Sequence, residues 1–318
     1  MLREGKGKRV AHQVGKVSIG NRSAKPMKIL VLGATGMLGH KLMQVLGRQF
    51  EVSGTVRREA AYYVGHPMLG SMNLIGGIRA EDIDSIIHAI AHCQPAVVIN
   101  CIGIIKQLPV GKDPLPSITI NALFPHRLAQ LCGAAGVRLV HFSTDCVFSG
   151  KKGNYTEDDV ADAEDLYGRS KFLGEVSRPG SLTLRTSIIG RELGTKLGLV
   201  EWFISMQGGT VAGYTKAIYS GFTTQALADL VANILIQQPD ISGLWQVSSS
   251  PISKFDLLNL INDAMGLKIT INRDEVFFCD RSLNSTRFRR VTGYDPPGWS
   301  EMVVALAKEA TLYDSLKR

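Results

Sequence analysis

Two residues four positions apart, Tyr167 and Lys171 in the run Asp165-Leu-Tyr-Gly-Arg-Ser-Lys171, carry the first chemical signal in the chain. On a helix that spacing puts both side chains on one face, one turn apart, so an ammonium can sit beside a phenol. A free tyrosine titrates near about 10, and a neighbouring positive charge favours its phenolate, which brings proton exchange closer to neutral pH. Upstream stand Ser143-Thr144-Asp145 and a glycine-punctuated turn, Gly33-Ala-Thr-Gly36-Met-Leu-Gly39. A phenol and ammonium, a hydroxyl able to hold a carbonyl oxygen, and a turn suited to phosphates together read as hydride transfer.

The glycine turn directly follows the strand-like run Ile29-Leu-Val-Leu32 and opens a helix, which is the setting a dinucleotide-binding turn requires. Glycines allow the turn and a close backbone approach to pyrophosphate, while the helix start offers free N–H groups and a positive dipole end. The second strand ends in Val56-Arg57-Arg58, where an NAD-selective site usually places an acid for the ribose hydroxyls. Arginines there can pair with a 2′-phosphate, so NADP is expected, with NAD still possible; the plainer alternative is a solvated loop with two surface charges. Ser143-Thr144-Asp145 closes another strand-like run, and ligands of open α/β sheets bind beyond the carboxyl ends of strands. Alone it reads as a turn or cap; its position before Tyr-x-x-x-Lys makes it a site candidate.

From Met27 strand-like runs alternate with helix-length amphipathic stretches, the pattern of a parallel sheet covered on both faces. Strands are expected at 28–32, 51–56, 96–101, 137–143 and 182–185, and helices at 39–50, 80–93, 121–135 and from 167 to 176. Beyond about residue 190 the regularity weakens, with turns such as Gly208-Gly209 and Pro296-Pro297. The expected fold is α/β: a Rossmann-type, doubly wound parallel sheet over 27–190, with a smaller α/β substrate domain over 191–318 interleaved with it.

The 318 residues suffice for a large core, and 45% hydrophobic with 20% charged residues reads as globular. The apolar runs are strand-sized, well short of the roughly 20 residues of a membrane span, so no membrane partner is expected. The net charge of +8 is concentrated at the start, where residues 1–26 hold seven Lys or Arg against Glu4 alone. With so little excess charge left for the rest, a nucleic-acid partner is set aside. The basic segment lacks a hydrophobic stretch and is expected to be a disordered tail, an upstream extension ahead of Met27 or else a tether or organelle-targeting segment. Five cysteines without C-x-x-C spacing suit a reducing cytoplasm, with no metal site expected.

The chain resembles the extended short-chain dehydrogenase/reductase superfamily, and within it the dTDP-4-dehydrorhamnose reductase family. The resembling residues run in the family's order: Gly33 to Gly39, Val97-Val-Ile-Asn-Cys-Ile-Gly103, Ile120-Asn121-Ala122, Ser143-Thr-Asp-Cys-Val-Phe-Ser-Gly150, Tyr155-Thr-Glu157, and Tyr167 to Lys171 with Gly174-Glu175. The resemblance implies a catalytic set of Thr144, Tyr167 and Lys171. Tyr167 would protonate a 4-keto oxygen, Thr144 would hydrogen-bond it, and Lys171 would hold the nicotinamide ribose and depress the tyrosine pKa. It also implies cofactor contacts from Gly33, Thr35, Gly36, Met37, Leu38, Gly39, Arg57, Arg58, Cys101 and Gly103, with Asn100 nearby. Asn121 is either a further cofactor contact or a buried polar helix residue.

Substrate contacts are expected from Thr144, Asp145, Arg281 and Asn284, the last two in Arg281-Ser-Leu-Asn-Ser285, similar to a family element that carries a proline this chain lacks. There Arg281 would clamp a diphosphate, the alternative being a surface turn. Cys146 stands where the family run usually has tyrosine, and Asp165-Leu166 replaces the common Asn-x before Tyr167. The implied reaction is NADPH-preferring reduction of the 4-keto group of a nucleotide-activated 6-deoxy sugar by a cytoplasmic enzyme, with a homodimer as a further implication. Two alternatives stand beside it: an epimerase or dehydratase of the same superfamily, and a non-catalytic NADP-binding regulatory subunit resembling that of methionine adenosyltransferase.

Overall fold

The structure, a computed structural model, describes residues 26–314 and 316. The expectation of a disordered tail therefore falls almost wholly outside the described residues. The first half runs β1 (Lys28–Leu32), α1 (Met37–Leu46), β2 (Glu51–Thr55), β3 (Asn73–Ile75), α2 (Ile83–Cys93) and β4 (Val97–Asn100). Next, α3 (Pro114–Ser117) passes through one π-helical stretch (Ile118–Leu123) into α4 (Phe124–Ala134), followed by β5 (Arg138–Thr144), α5 (Leu166–Leu173) and β6 (Ser181–Thr186). The remainder comprises β7 (Ile188–Ile189), α6 (Leu199–Ser205), β8 (Thr210–Tyr219), β9 (Phe222–Thr223), α7 (Thr224–Gln237), β10 (Gly243–Gln246) and β11 (Ile252–Ser253). It closes with α8 (Lys254–Met265), β12 (Thr270–Asp280), α9 (Thr286–Thr292), α10 (Trp299–Lys308) and α11 (Ala310–Asp314).

The central sheet has seven strands in the order β10-β6-β5-β4-β1-β2-β3, every pair parallel. Successive residues of β1 point to opposite faces, as pleating dictates. Ile29 and Val31 enter one core with Leu42 of α1 and Leu230 of α7, whereas Leu30 and Leu32 enter the other with Ile86 of α2 and Leu128 of α4. Strands sandwiched this way must be apolar on both faces, which is why β1 reads as an unbroken hydrophobic run. Strand order reverses between β1 and β4, so a crevice opens beyond their carboxyl ends.

The expectation of weak regularity after residue 190 is corrected. β8 and β12 are strands of 10 and 11 residues that pair in parallel, with β11 antiparallel on the other side of β8. Helix α7 is 14 residues long and buried on most of its circumference, packed against α1, α10 and the β7–β9 pair, so its apolar residues show no clean helical period. Strand β10 returns to pair with β6 at the edge of the central sheet, so the late part of the chain completes the first layer as well as building its own.

The turn between β1 and α1 depends on backbone contact. A Cβ at Gly39 would lie 2.1 Å from the carbonyl oxygen of Gly33 and 2.9 Å from its carbon, so only glycine lets α1 pack this close to the turn. Gly39→Ala is expected to lower stability by roughly 1–3 kcal/mol or more, read as a fall in the urea midpoint. Gly133→Ala in α4, whose added methyl meets nothing within 4 Å, should by contrast hold or raise the midpoint. Equal behaviour of the two variants would refute the close-packing account.

Candidate active site

A cavity of 1140 Å³ opens beyond the carboxyl ends of β1, β4, β5 and β6 and is closed on its far side by β8, β12 and the start of α8. Thr35, Gly36, Met37 and Leu38 of the glycine turn line one end, and Lys106, Tyr219, Lys254, Cys279 and Arg281 line the other. Thr144, Asp145, Tyr167 and Lys171 lie on its wall together with Asn100, Cys101 and Gly103.

Helix α5 presents the phenol and ammonium. The Asp165 carboxylate caps it by accepting from the Gly168 N–H at 2.7 Å. Its far end rests on backbone: a Cβ at Gly174 would lie 1.9 Å from the carbonyl oxygen of Asn121. The buried Lys171 Nζ donates to the Phe142 carbonyl at 2.7 Å, at the end of β5. Burial lowers its pKa to about 8, partly opposed by the negative charge of Glu175. That carboxylate is itself held by the Ser143 hydroxyl at 2.6 Å and by two hydrogen bonds of 2.7 Å from the buried Arg185 guanidinium.

The Tyr167 phenol is recessed in the cavity, and burial raises its pKa; the carboxylates of Asp145 and Asp165 push the same way, against the nearby Thr144 hydroxyl. The shift runs opposite to the expected depression by Lys171, because loss of water dominates. The phenol is therefore protonated at neutral pH, the form that can give a proton. Thr144 donates to Asp145 Oδ1 at 3.1 Å and accepts from the Cys146 N–H at 3.1 Å, which fixes its hydroxyl beside the phenol.

The structure separates the expected residues. Gly33, in a left-handed conformation (φ +82°), and Gly39 shape the turn without lining the cavity. Asn121 also lies off the cavity: its side chain binds the N–H and the carbonyl of Ile104, each at 2.8 Å, and donates to Ser170 Oγ at 3.3 Å. As a buried polar helix residue it ties the loop after β4 to α5. Arg57 and Arg58 are exposed and do not line the cavity, although the Arg58 guanidinium stacks 4.2 Å over the ring of Tyr62, which does. Arg281 reaches the cavity while its Nε donates to the Phe148 carbonyl at 2.8 Å, but Asn284 lies off the cavity, its side-chain carbonyl accepting from the Thr286 N–H at 3.0 Å.

Sequence reasoning missed Lys254, the first residue of α8. Its Nζ lies 4.0 Å over the Tyr219 ring, and it makes no ion pair among the described residues. Burial lowers its pKa to about 8, with the Asp145 charge acting in the opposite direction. The one available signal was a lysine in a first helical turn, the wrong sign for the helix dipole. Together Lys106, Lys254 and Arg281 face the single carboxylate of Asp145 around Cys146, leaving this end of the cavity positive.

The glycine-turn end suits a dinucleotide phosphate. Helix α1 starts at Gly36 with no side-chain cap and no acid in its first turn, so its N–H groups and dipole face the cavity without competition.

Known proteins bear on this geometry. The spore coat polysaccharide biosynthesis protein SpsK of Bacillus subtilis (strain 168) is 28% identical over 250 residues, covering 77% of this chain and 81% of that protein. Methionine adenosyltransferase 2 subunit beta of Danio rerio is 30% identical over 253 residues, covering 76% and 74%. Among solved structures, the dTDP-4-dehydrorhamnose reductase of Bacillus anthracis str. Ames in complex with NADP shares the fold with a TM-score of 0.74 at 19% identity, over 89% of this chain and 99% of that one. The family model described as the RmlD substrate binding domain matches residues 27–310, and the chain belongs to that family, the dTDP-4-dehydrorhamnose reductase branch of the extended short-chain dehydrogenase/reductases.

Proposed function

We propose that the protein reduces the 4-keto group of a nucleotide-activated 6-deoxy sugar, with NADPH preferred over NADH. The observation that carries this reading is the placement of Thr144, Tyr167 and Lys171 between an uncapped helix start and a positive cavity end. A reduced nicotinamide supplies the hydride when bound; Thr35, Gly36, Met37 and Leu38 would hold its phosphates and Lys171 its ribose. Tyr167 gives its proton to the keto oxygen, and Thr144 positions that oxygen by hydrogen bonding. Lys106, Lys254 and Arg281 take the diphosphate, which carries one negative charge per phosphoryl group. The arginines after β2 support NADPH, with Arg58 set at the cavity rim through Tyr62.

The Danio rerio match favours a second reading, a subunit that binds the dinucleotide without turning it over. Loss of reduced-nicotinamide absorbance on mixing with NADPH and dTDP- or UDP-linked 4-keto-6-deoxy sugars separates the two, because net consumption excludes both that subunit and an epimerase that recycles its cofactor. Tyr167→Phe should cut kcat by about 10²–10⁴-fold while NADPH binding persists. Wild-type-like turnover in this variant would remove the catalytic assignment.

Lys254→Met should weaken binding of UDP or dTDP by about tenfold or more in calorimetry, with NADPH binding unchanged. An unchanged nucleotide affinity would take Lys254 out of the diphosphate site.

Lys171 and Lys254 both titrate near about 8 and act as cations, so kcat/KM should be level below neutrality and fall as pH rises through about 8. The decline should be steeper in the wild type than in Lys254→Met. Stability should move the other way: between about 8 and the ordinary 10.5 the unfolded chain holds more protons than the folded one, so unfolding free energy rises with pH there.

A further inference from the structure

We propose that the carboxy-terminal turn is a working part of the dinucleotide site: Tyr313, acting through His40, sets the orientation of the Gly36–Met37 peptide. The inference rests on the reading that the glycine turn holds a dinucleotide. His40 is completely buried on α1, with Nδ1 2.7 Å from the Gly36 carbonyl and Nε2 2.5 Å from the Tyr313 hydroxyl. A carbonyl can only accept, so Nδ1 carries the proton and Nε2 accepts from the tyrosine. The ring is neutral, since burial lowers its pKa to about 4.

The consequence follows from peptide geometry. C=O and N–H of a planar trans peptide point in opposite directions, so fixing the Gly36 oxygen fixes the Met37 N–H. Gly36 and Met37 both line the cavity at the helix start, where a free N–H serves as an anion ligand. A second hydrogen bond to the Gly36 carbonyl, besides the one from the His40 backbone N–H at 3.1 Å, also polarises the peptide and makes that N–H a better donor.

The same turn secures the cavity wall beside Met37. The fully buried Arg191 guanidinium binds Glu201 at 2.6 Å and Asp314 at 2.7 Å and lies 5.1 Å from the Tyr313 ring centroid. Glu201 accepts from the Glu192 N–H at 3.2 Å, and the Glu192 carboxylate accepts from Leu197 and Gly198 at 3.0 and 3.1 Å. Glu192, Leu197 and Gly198 all line the cavity. Lys41, next to His40, adds an ion pair of 2.6 Å to Glu309. One short segment thus grips both the glycine turn and the wall beside it.

The test is Tyr313→Phe in the full chain, which keeps the ring under Arg191 and removes the hydroxyl. Expected results are an NADPH Kd about fivefold to tenfold weaker by fluorescence, an unchanged UDP Kd, and a shifted Met37 amide resonance without any ligand. If Tyr313→Phe lowers the melting temperature but leaves NADPH affinity and the Met37 resonance at wild-type values, the turn is only packing and the inference falls. Should that variant not fold, Asp314→Asn at the exposed end of the network carries the same comparison, and equal NADPH affinity there overturns the coupling. Wild-type protein that binds UDP but no nicotinamide dinucleotide would overturn the inference and the dinucleotide reading together.

Discussion

The burial of one ammonium, that of Lys171, dictates most of what surrounds it. Taken out of water, a cation needs a lone pair and a compensating charge, and the chain supplies the Phe142 carbonyl and the Glu175 carboxylate. Glu175 in turn is largely shielded from water and is held by Arg185 and Ser143, so α5, β5 and β6 are bound into one charge chain beside the cavity. The same dryness acts on Tyr167 in the opposite sense. It makes the lysine readier to lose a proton and the phenol less ready to, so at neutral pH the phenol keeps its proton.

What was legible in the sequence is what lies within a continuous element. Gly33 to Gly39 could be placed because strand, turn and helix follow one another without interruption. Tyr167 and Lys171 could be paired because a helix fixes the geometry of residues four apart, and α5 does span Leu166–Leu173. Asn121 resisted reading because the helix carrying it is π-wound at that point, which turns its side chain toward Ile104 and Ser170. Asn284 lies off the cavity for a simpler reason: an asparagine two residues before a helix has a local use for its carbonyl.

The late part of the chain was hidden by distance. Strands β8 and β12 find each other across about fifty residues, and β10 leaves them to extend a sheet begun near residue 28, pairings that no local period announces. Lys254 belongs to no motif; it matters because α8 starts beside Tyr219 and aims it into a cavity whose other walls come from early residues.

The bond between His40 and Tyr313 joins positions 273 residues apart. All seven strands of the central sheet lie before residue 247, yet the bond that braces the glycine turn waits for Tyr313. Closing so long a loop carries an entropic cost that only formed tertiary contacts offset. The glycine turn is therefore braced by a contact that no neighbouring stretch of sequence can supply.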